Sequence, residues 1–118
     1  MNPVLWEPSQ ERREASLLWH FMQSAPAKLK TYADVHRWSL DEMEAFWAHF
    51  WEFSGLRASR GYDTVLAEPA MPGARWFPGT RLNYAENLLA GDDELLAVID
   101  CAEGCDDVRL TRGELRQR

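Results

Sequence analysis

Long apolar runs are missing from this 118-residue chain. None approaches the roughly 20 residues that cross a bilayer. Residues 1–14, MNPVLWEPSQERRE, also lack the charged start and apolar core of a secretory leader. The expectation is a cytoplasmic protein without a membrane partner. Cysteine and histidine are scarce as well: Cys101, Cys105, His20, His36 and His49 are too few and too scattered for the four set-spaced ligands of a zinc site. Gly104 reads as the turn of a hairpin that sets Cys101 and Cys105 opposite each other, as free thiols in a reducing compartment. Positive charge is in deficit, with 13 Lys and Arg against 19 Asp and Glu, giving −6. A phosphate backbone is repelled by such a surface, so no nucleic-acid partner is expected. The two glycine-bearing stretches, PGARWFPG and AEGC, lack the hydroxyl residues and lysine of a phosphate loop. No nucleophile accompanies His49, so no catalytic residue is assigned.

What the chain does have is aromatic and apolar mass. It holds six tryptophans and is 46% hydrophobic, far from the composition of a disordered segment and of a size to build one core or part of one. Ser9 reads as the N-cap of a helix over residues 10–25, with Leu18, Phe21, Met22 and Ala25 on one face and Pro26 ending it. Tyr32, Val35 and Trp38 predict a short second helix that needs a neighbour to pack on. A third helix is expected to open on a Ser39–Glu42 capping box. It carries Leu40, Met43, Phe46, Trp47, Phe50, Trp51 and Ser54 along one face and stops at Gly55. Burial of such side chains is worth about 1.5 to 3 kcal/mol each, so the aromatics read as core rather than as a ligand cage. His49 falls off that stripe and reads as solvated.

From Leu56 to Gly79 the chain becomes rich in proline and glycine around Thr64–Ala67, a long ordered connection fitted to a surface. A helix over 82–90 follows, with Leu82, Ala85, Leu88 and Leu89 apolar and Gly91 as its stop. Asn83 and Asn87 lie one turn apart, where two amides can clamp an adjoining loop. LLAVIDC and DDVRL then read as a hairpin, and Thr111 with Glu114 as a capping box opening a helix at Arg112. A two-stranded hairpin and a helix stub bury little by themselves, so this end is expected to belong to a larger unit. The fold class expected is α+β: a mainly helical region, a long ordered loop, then a β-hairpin and the start of a helix.

Residues 76–89, WFPGTRLNYAENLL, resemble the N-terminal signature of the acetyl-CoA synthetase-like branch of AMP-forming acyl-CoA ligases. LWEPS (5–9), RWS (37–39), EAFWAHFWEF (44–53), MPGARWFPG (71–79), AVI (97–99) and LTRGEL (110–115) follow in the family's order, so the likeness spans nearly the whole chain. Thr80 departs from it, standing where a small apolar residue is expected, and so does the short polar linker between the first two helices. The resemblance implies an N-terminal helical region over 1–91 and, over 92–118, the first hairpin and helix start of an adenylate-forming large domain. It implies acetoacetate activation in two steps: the carboxylate attacks ATP to give an acyl-adenylate, and the CoA thiol then displaces AMP, with magnesium assisting. ATP, CoA and magnesium are implied for the full-length enzyme and none is expected on this stretch, whose partners are the ligase's large and C-terminal domains. The alternative is a stand-alone interaction module without catalytic activity. Trp76, Phe77, Gly79, Leu82, Asn83 and Asn87 are the signature positions, read as a structural joint. Arg75 and Arg81 flank the turn and read as ion-pairing residues before phosphate-gripping ones.

Overall fold

The computed structural model describes residues 5–118. Residues 1–4, with which the expected N-terminal region begins, lie outside the described residues. The chain divides into two compact units: one runs up to Leu56 and includes Tyr62–Pro78, the other joins Arg57–Gly61 to Gly79–Arg118. Its elements are helices and short antiparallel strand pairs, an α+β composition.

The first unit opens with α1 (Gln10–Glu14) and α2 (Leu17–Ser24) where a single helix is expected. Ser9 does cap α1, its Oγ accepting from the Arg12 N–H at 3.3 Å. The break comes from a second cap. Ser16 sits at φ −80°, ψ 148°, its Oγ accepting from the Trp19 N–H at 3.2 Å and donating to the Arg13 carbonyl at 2.6 Å. A hydroxyl that offers the backbone such a partner starts a new helix as readily as it continues an old one.

Helix α3 (Tyr32–Asp41) begins at a Thr31–Asp34 capping box and runs through Ser39, so the expected Ser39–Glu42 box does not form. The Ser39 hydroxyl instead donates to the His36 carbonyl at 2.7 Å inside the helix. Burial of Val35 and Trp38 holds this stretch helical beyond the expected start of the next element. Helix α4 (Met43–Ser54) therefore starts after a one-residue joint, Glu42, which closes α3 through its N–H and opens α4 through its carbonyl without a side-chain cap. Gly55 ends α4 at φ 63°, the left-handed conformation that costs glycine nothing.

The core of this unit is small: Phe21, Met22, Val35 and Trp38, joined at its edge by Phe46 and Phe53 of α4. Phe21 meets Phe53 edge-on at 5.2 Å and Phe46 at 5.6 Å between ring centroids. His49 belongs to this cluster rather than to solvent. Its ring lies 4.7 Å from that of Phe21, and its Nε2 is 3.2 Å from the Phe21 carbonyl and 3.3 Å from Ser24 Oγ. The apolar stripe of α4 ignored that α2 crosses its flank, so a second face of α4 is also covered. The connection that follows contains a two-stranded ladder, β1 (Leu66–Glu68) with β2 (Arg75–Trp76), antiparallel with a register shift.

In the second unit α5 (Tyr84–Leu88) is followed by β3 (Leu96–Asp100) and β4 (Val108–Thr111), an antiparallel hairpin closed at Asp100–Val108. That register sets Cys101 beside Asp107, not opposite Cys105. The two exposed thiols are free, and the hydrogen bond to Asp107 pushes the Cys101 thiol above its ordinary pKa. Thr111 and Glu114 make the expected capping box and open α6 (Arg112–Arg116). Arg112 and Arg116 donate to the carbonyls of Ala90 and Leu89 at 2.7 and 2.6 Å, supplying cations to the open end of α5. Every residue of β3 is exposed, including Leu96, Val98 and Ile99.

Candidate functional site

The stretch from Arg75 to Leu89 crosses the boundary between the units at Pro78–Gly79. On the first-unit side, Trp76 and Phe77 spread onto α4. Trp76 packs edge-on to Trp47 at 5.6 Å, and Phe77 lies 5.0 Å from Trp51 and 5.1 Å from Tyr62. The four-residue step from Trp47 to Trp51 places both tryptophans on one side of the helix. Trp47, Trp76 and Phe77 line a narrow slot of about 170 Å³ with no polar side chain.

The turn is pinned by its backbone. The Phe77 N–H donates to the Val65 carbonyl at 2.8 Å and the Asp63 N–H to the Pro78 carbonyl at 2.9 Å. Phe77 has φ 46°, a left-handed conformation that costs a bulky residue of order 1 kcal/mol or more. The ring contacts with Trp51 and Tyr62 offset that strain. Arg75 forms an exposed ion pair with Glu68 at 3.0 Å, a contact of small energetic weight.

On the second-unit side, Gly79 takes φ 85°, and Arg81 bridges to Arg60, with the Ser59 N–H donating to the Arg81 carbonyl at 2.8 Å. Asn83 is the N-cap of α5, its Oδ1 accepting from the Glu86 N–H at 3.2 Å. Asn87 clamps a separate segment: Oδ1 accepts from the Arg57 N–H at 2.7 Å, while Nδ2 donates to the Arg57 carbonyl at 2.8 Å and to the Asn83 carbonyl at 2.9 Å. One amide thus answers a backbone donor and acceptor of Arg57 as a neighbouring strand would. Leu82 is half exposed. The Thr80 hydroxyl is buried without a hydrogen-bond partner among the described residues.

Among the described residues no three His, Cys, Asp or Glu side chains converge on a metal site, and the Pro-Gly turn is preceded by the packed rings of Trp76 and Phe77. Magnesium-ATP does not fit these residues. Sequence reasoning missed the Arg57 anchor of Asn87 because Arg57 sits in a loop 30 residues away.

Residues 32–88 match the family described as acetyl-coenzyme A synthetase N-terminus. The chain is similar to acetoacetyl-CoA synthetase of Macaca fascicularis, 38% identical over 120 residues, a match covering 97% of this chain and 18% of the relative. It is similar to malonamoyl-CoA synthetase vrtB of Penicillium aethiopicum at 39% over 127 residues, covering 98% of this chain and 17% of the relative. The solved acetoacetyl-CoA synthetase from Streptomyces lividans superposes with a TM-score of 0.80 at 34% identity, over 98% of this chain and 19% of that one. The chain thus spans less than a fifth of the length of these relatives.

Proposed function

Because this chain corresponds to the N-terminal part of acetyl-CoA synthetase-like ligases, with residues 32–88 matching their N-terminus, we propose that it is the N-terminal portion of an acetoacetate–CoA ligase. In this reading the parent enzyme converts ATP, acetoacetate and CoA to acetoacetyl-CoA, AMP and diphosphate, with magnesium. The present chain supports the catalytic domain and is inactive alone. ATP, CoA and magnesium are held by the remaining domains. In this reading the parent's N-terminal region extends to residue 91, and 92–118 begin its large domain. The cytoplasm is the compartment in which its two free, exposed thiols persist.

The observation that carries this reading is the hairpin. Leu95, Leu96, Val98, Ile99 and Val108 are each 38–50% exposed, an apolar sheet without a covering layer. Sheets bury at least one face against another element, so this one is a piece of a larger layer. The acyl groups named for the two relatives, acetoacetyl and malonamoyl, share a carbonyl two bonds from the activated carboxylate. A short β-carbonyl acid is therefore the substrate class. Trp76, Phe77, Gly79, Leu82, Asn83 and Asn87 act as the joint.

ATP–pyrophosphate exchange tests the reading. The 118-residue chain should give no exchange with acetoacetate or malonamate, and exchange by the chain alone would overturn it. In a full-length ligase carrying this segment, Trp76→Ala should lower stability while leaving the CoA KM unchanged. A stable variant with only a raised CoA KM would make the turn a binding site instead of a joint.

A further inference from the structure

The first unit carries a groove of about 660 Å³ that the joint does not use, lined by the lead-in to α1, by α2 and by the entry to α3. Its volume falls in the range of about 300–1,000 Å³ typical of small-molecule sites. Leu18, Trp19 and Met22 line it from α2 and Trp6 from the lead-in, an apolar surface. The charged groups lining it are all cations: Arg12, Arg13 and Lys30. Arg13 is already engaged, donating to Glu7 at 2.9 Å and to the Pro8 carbonyl at 3.1 Å. Arg12 lies 5.7 Å above the Trp6 ring, and neither its guanidinium nor the Lys30 ammonium has a hydrogen-bond or ion-pair partner among the described residues.

Two unneutralised cations beside an apolar wall are unexpected on a chain of net charge −6. An amphipathic anion satisfies both features at once, since its body removes apolar area from water while its head answers the cations. We infer that this groove binds a medium-chain aliphatic carboxylate, its alkyl body on Leu18, Trp19 and Met22 and its head group against Arg12 and Lys30. Arg12 lies over Trp6 at a cation–π distance and makes no hydrogen bond through its guanidinium among the described residues, so its N–H groups are available to a head group.

The site is tested by titrating the 118-residue chain with decanoate below its micellar concentration, following indole N–H signals by nuclear magnetic resonance. Saturable one-to-one binding is expected, with shifts concentrated at Trp6 and Trp19. Arg12→Gln combined with Lys30→Gln should weaken it about fivefold or more, as should replacing decanoate by decanol. Both positions are exposed, so the variant should keep the wild-type circular dichroism. Equal affinity for decanol, an unaffected double variant, shifts centred on Leu95–Ile99, or no saturable binding would each overturn the assignment. No ligase activity enters the readout, so this site and the ligase reading fail separately.

Discussion

Replacing Asn87 by alanine removes three hydrogen bonds at 2.7, 2.8 and 2.9 Å, two of them to the backbone of Arg57. Each such bond is worth about 0.5–1.5 kcal/mol net, and partial exposure puts these at the lower end because water replaces part of what is lost. Together they come to about 1.5–2.5 kcal/mol. Alanine is the better helix former in α5 by about 0.5 kcal/mol, which offsets some of it. The net loss expected is about 1–2 kcal/mol, or a fall in Tm of roughly 4–8 °C for a chain of this size. Urea unfolding gives the free energy, with an unchanged m-value expected, and amide exchange at Arg57 gives the location. A variant within about 0.3 kcal/mol of wild type, or one whose Arg57 amide exchanges at the wild-type rate, would refute the clamp.

Other positions make independent predictions. Thr80→Val removes a buried hydroxyl that has no partner and keeps its shape, so stability should hold or rise by about 1 kcal/mol in urea unfolding; a loss of that size would reveal a partner for the hydroxyl. Gly91 has φ 113°, and an added Cβ would come within 2.6 Å of Arg112 Nη1, so Gly91→Ala should cost about 2 kcal/mol, with a neutral result contradicting the backbone assignment. Asp34 is held below the ordinary carboxylate pKa by hydrogen bonds from the Lys30 N–H and from the Thr31 hydroxyl and N–H. A depressed folded-state pKa adds stability above the unfolded value and loses it as pH falls through the folded one, so the Tm gap between wild type and Asp34→Asn should be largest near neutrality and close with acid. A gap that widens with acid would reverse the sign. The exposed hairpin should make the isolated chain self-associate in ultracentrifugation, and Leu96→Lys with Ile99→Lys should reduce that while leaving helix content intact; a monomeric wild type, or association unchanged by the lysines, would contradict this.

Much of this fold was legible because local signals were strong. Ser9, Thr111 with Glu114, Gly55 and the short apolar, β-branched run LLAVIDC each act within a few residues, and each lies where its chemistry places it. The failures share a cause. Ser16 and Ser39 have the same side chain, yet one caps a helix and the other sits inside one, because burial of Val35 and Trp38 decided the second. His49 reads as solvated on a single helical wheel and is half-buried once α2 lies across it. The cysteines depended on hairpin register, which the turn alone did not set, since the ladder closes at Asp100–Val108 and leaves a loop between. At the joint, the aromatic pair and the Asn pair were visible as types, while their partners Trp51, Tyr62 and Arg57 required the third dimension.

The measurement closest to the central claim is reconstitution. The Streptomyces lividans acetoacetyl-CoA synthetase, shortened by the segment that this chain matches, is mixed with the 118-residue chain, and ATP–pyrophosphate exchange with acetoacetate is followed. The account predicts no exchange from the chain, weak or no exchange from the shortened enzyme, and recovery on mixing that saturates with added chain and is lost with Leu96→Lys and Ile99→Lys. A shortened enzyme that is fully active without the chain, or a folded one that gains nothing from it, would contradict the claim that this segment supports a catalytic domain.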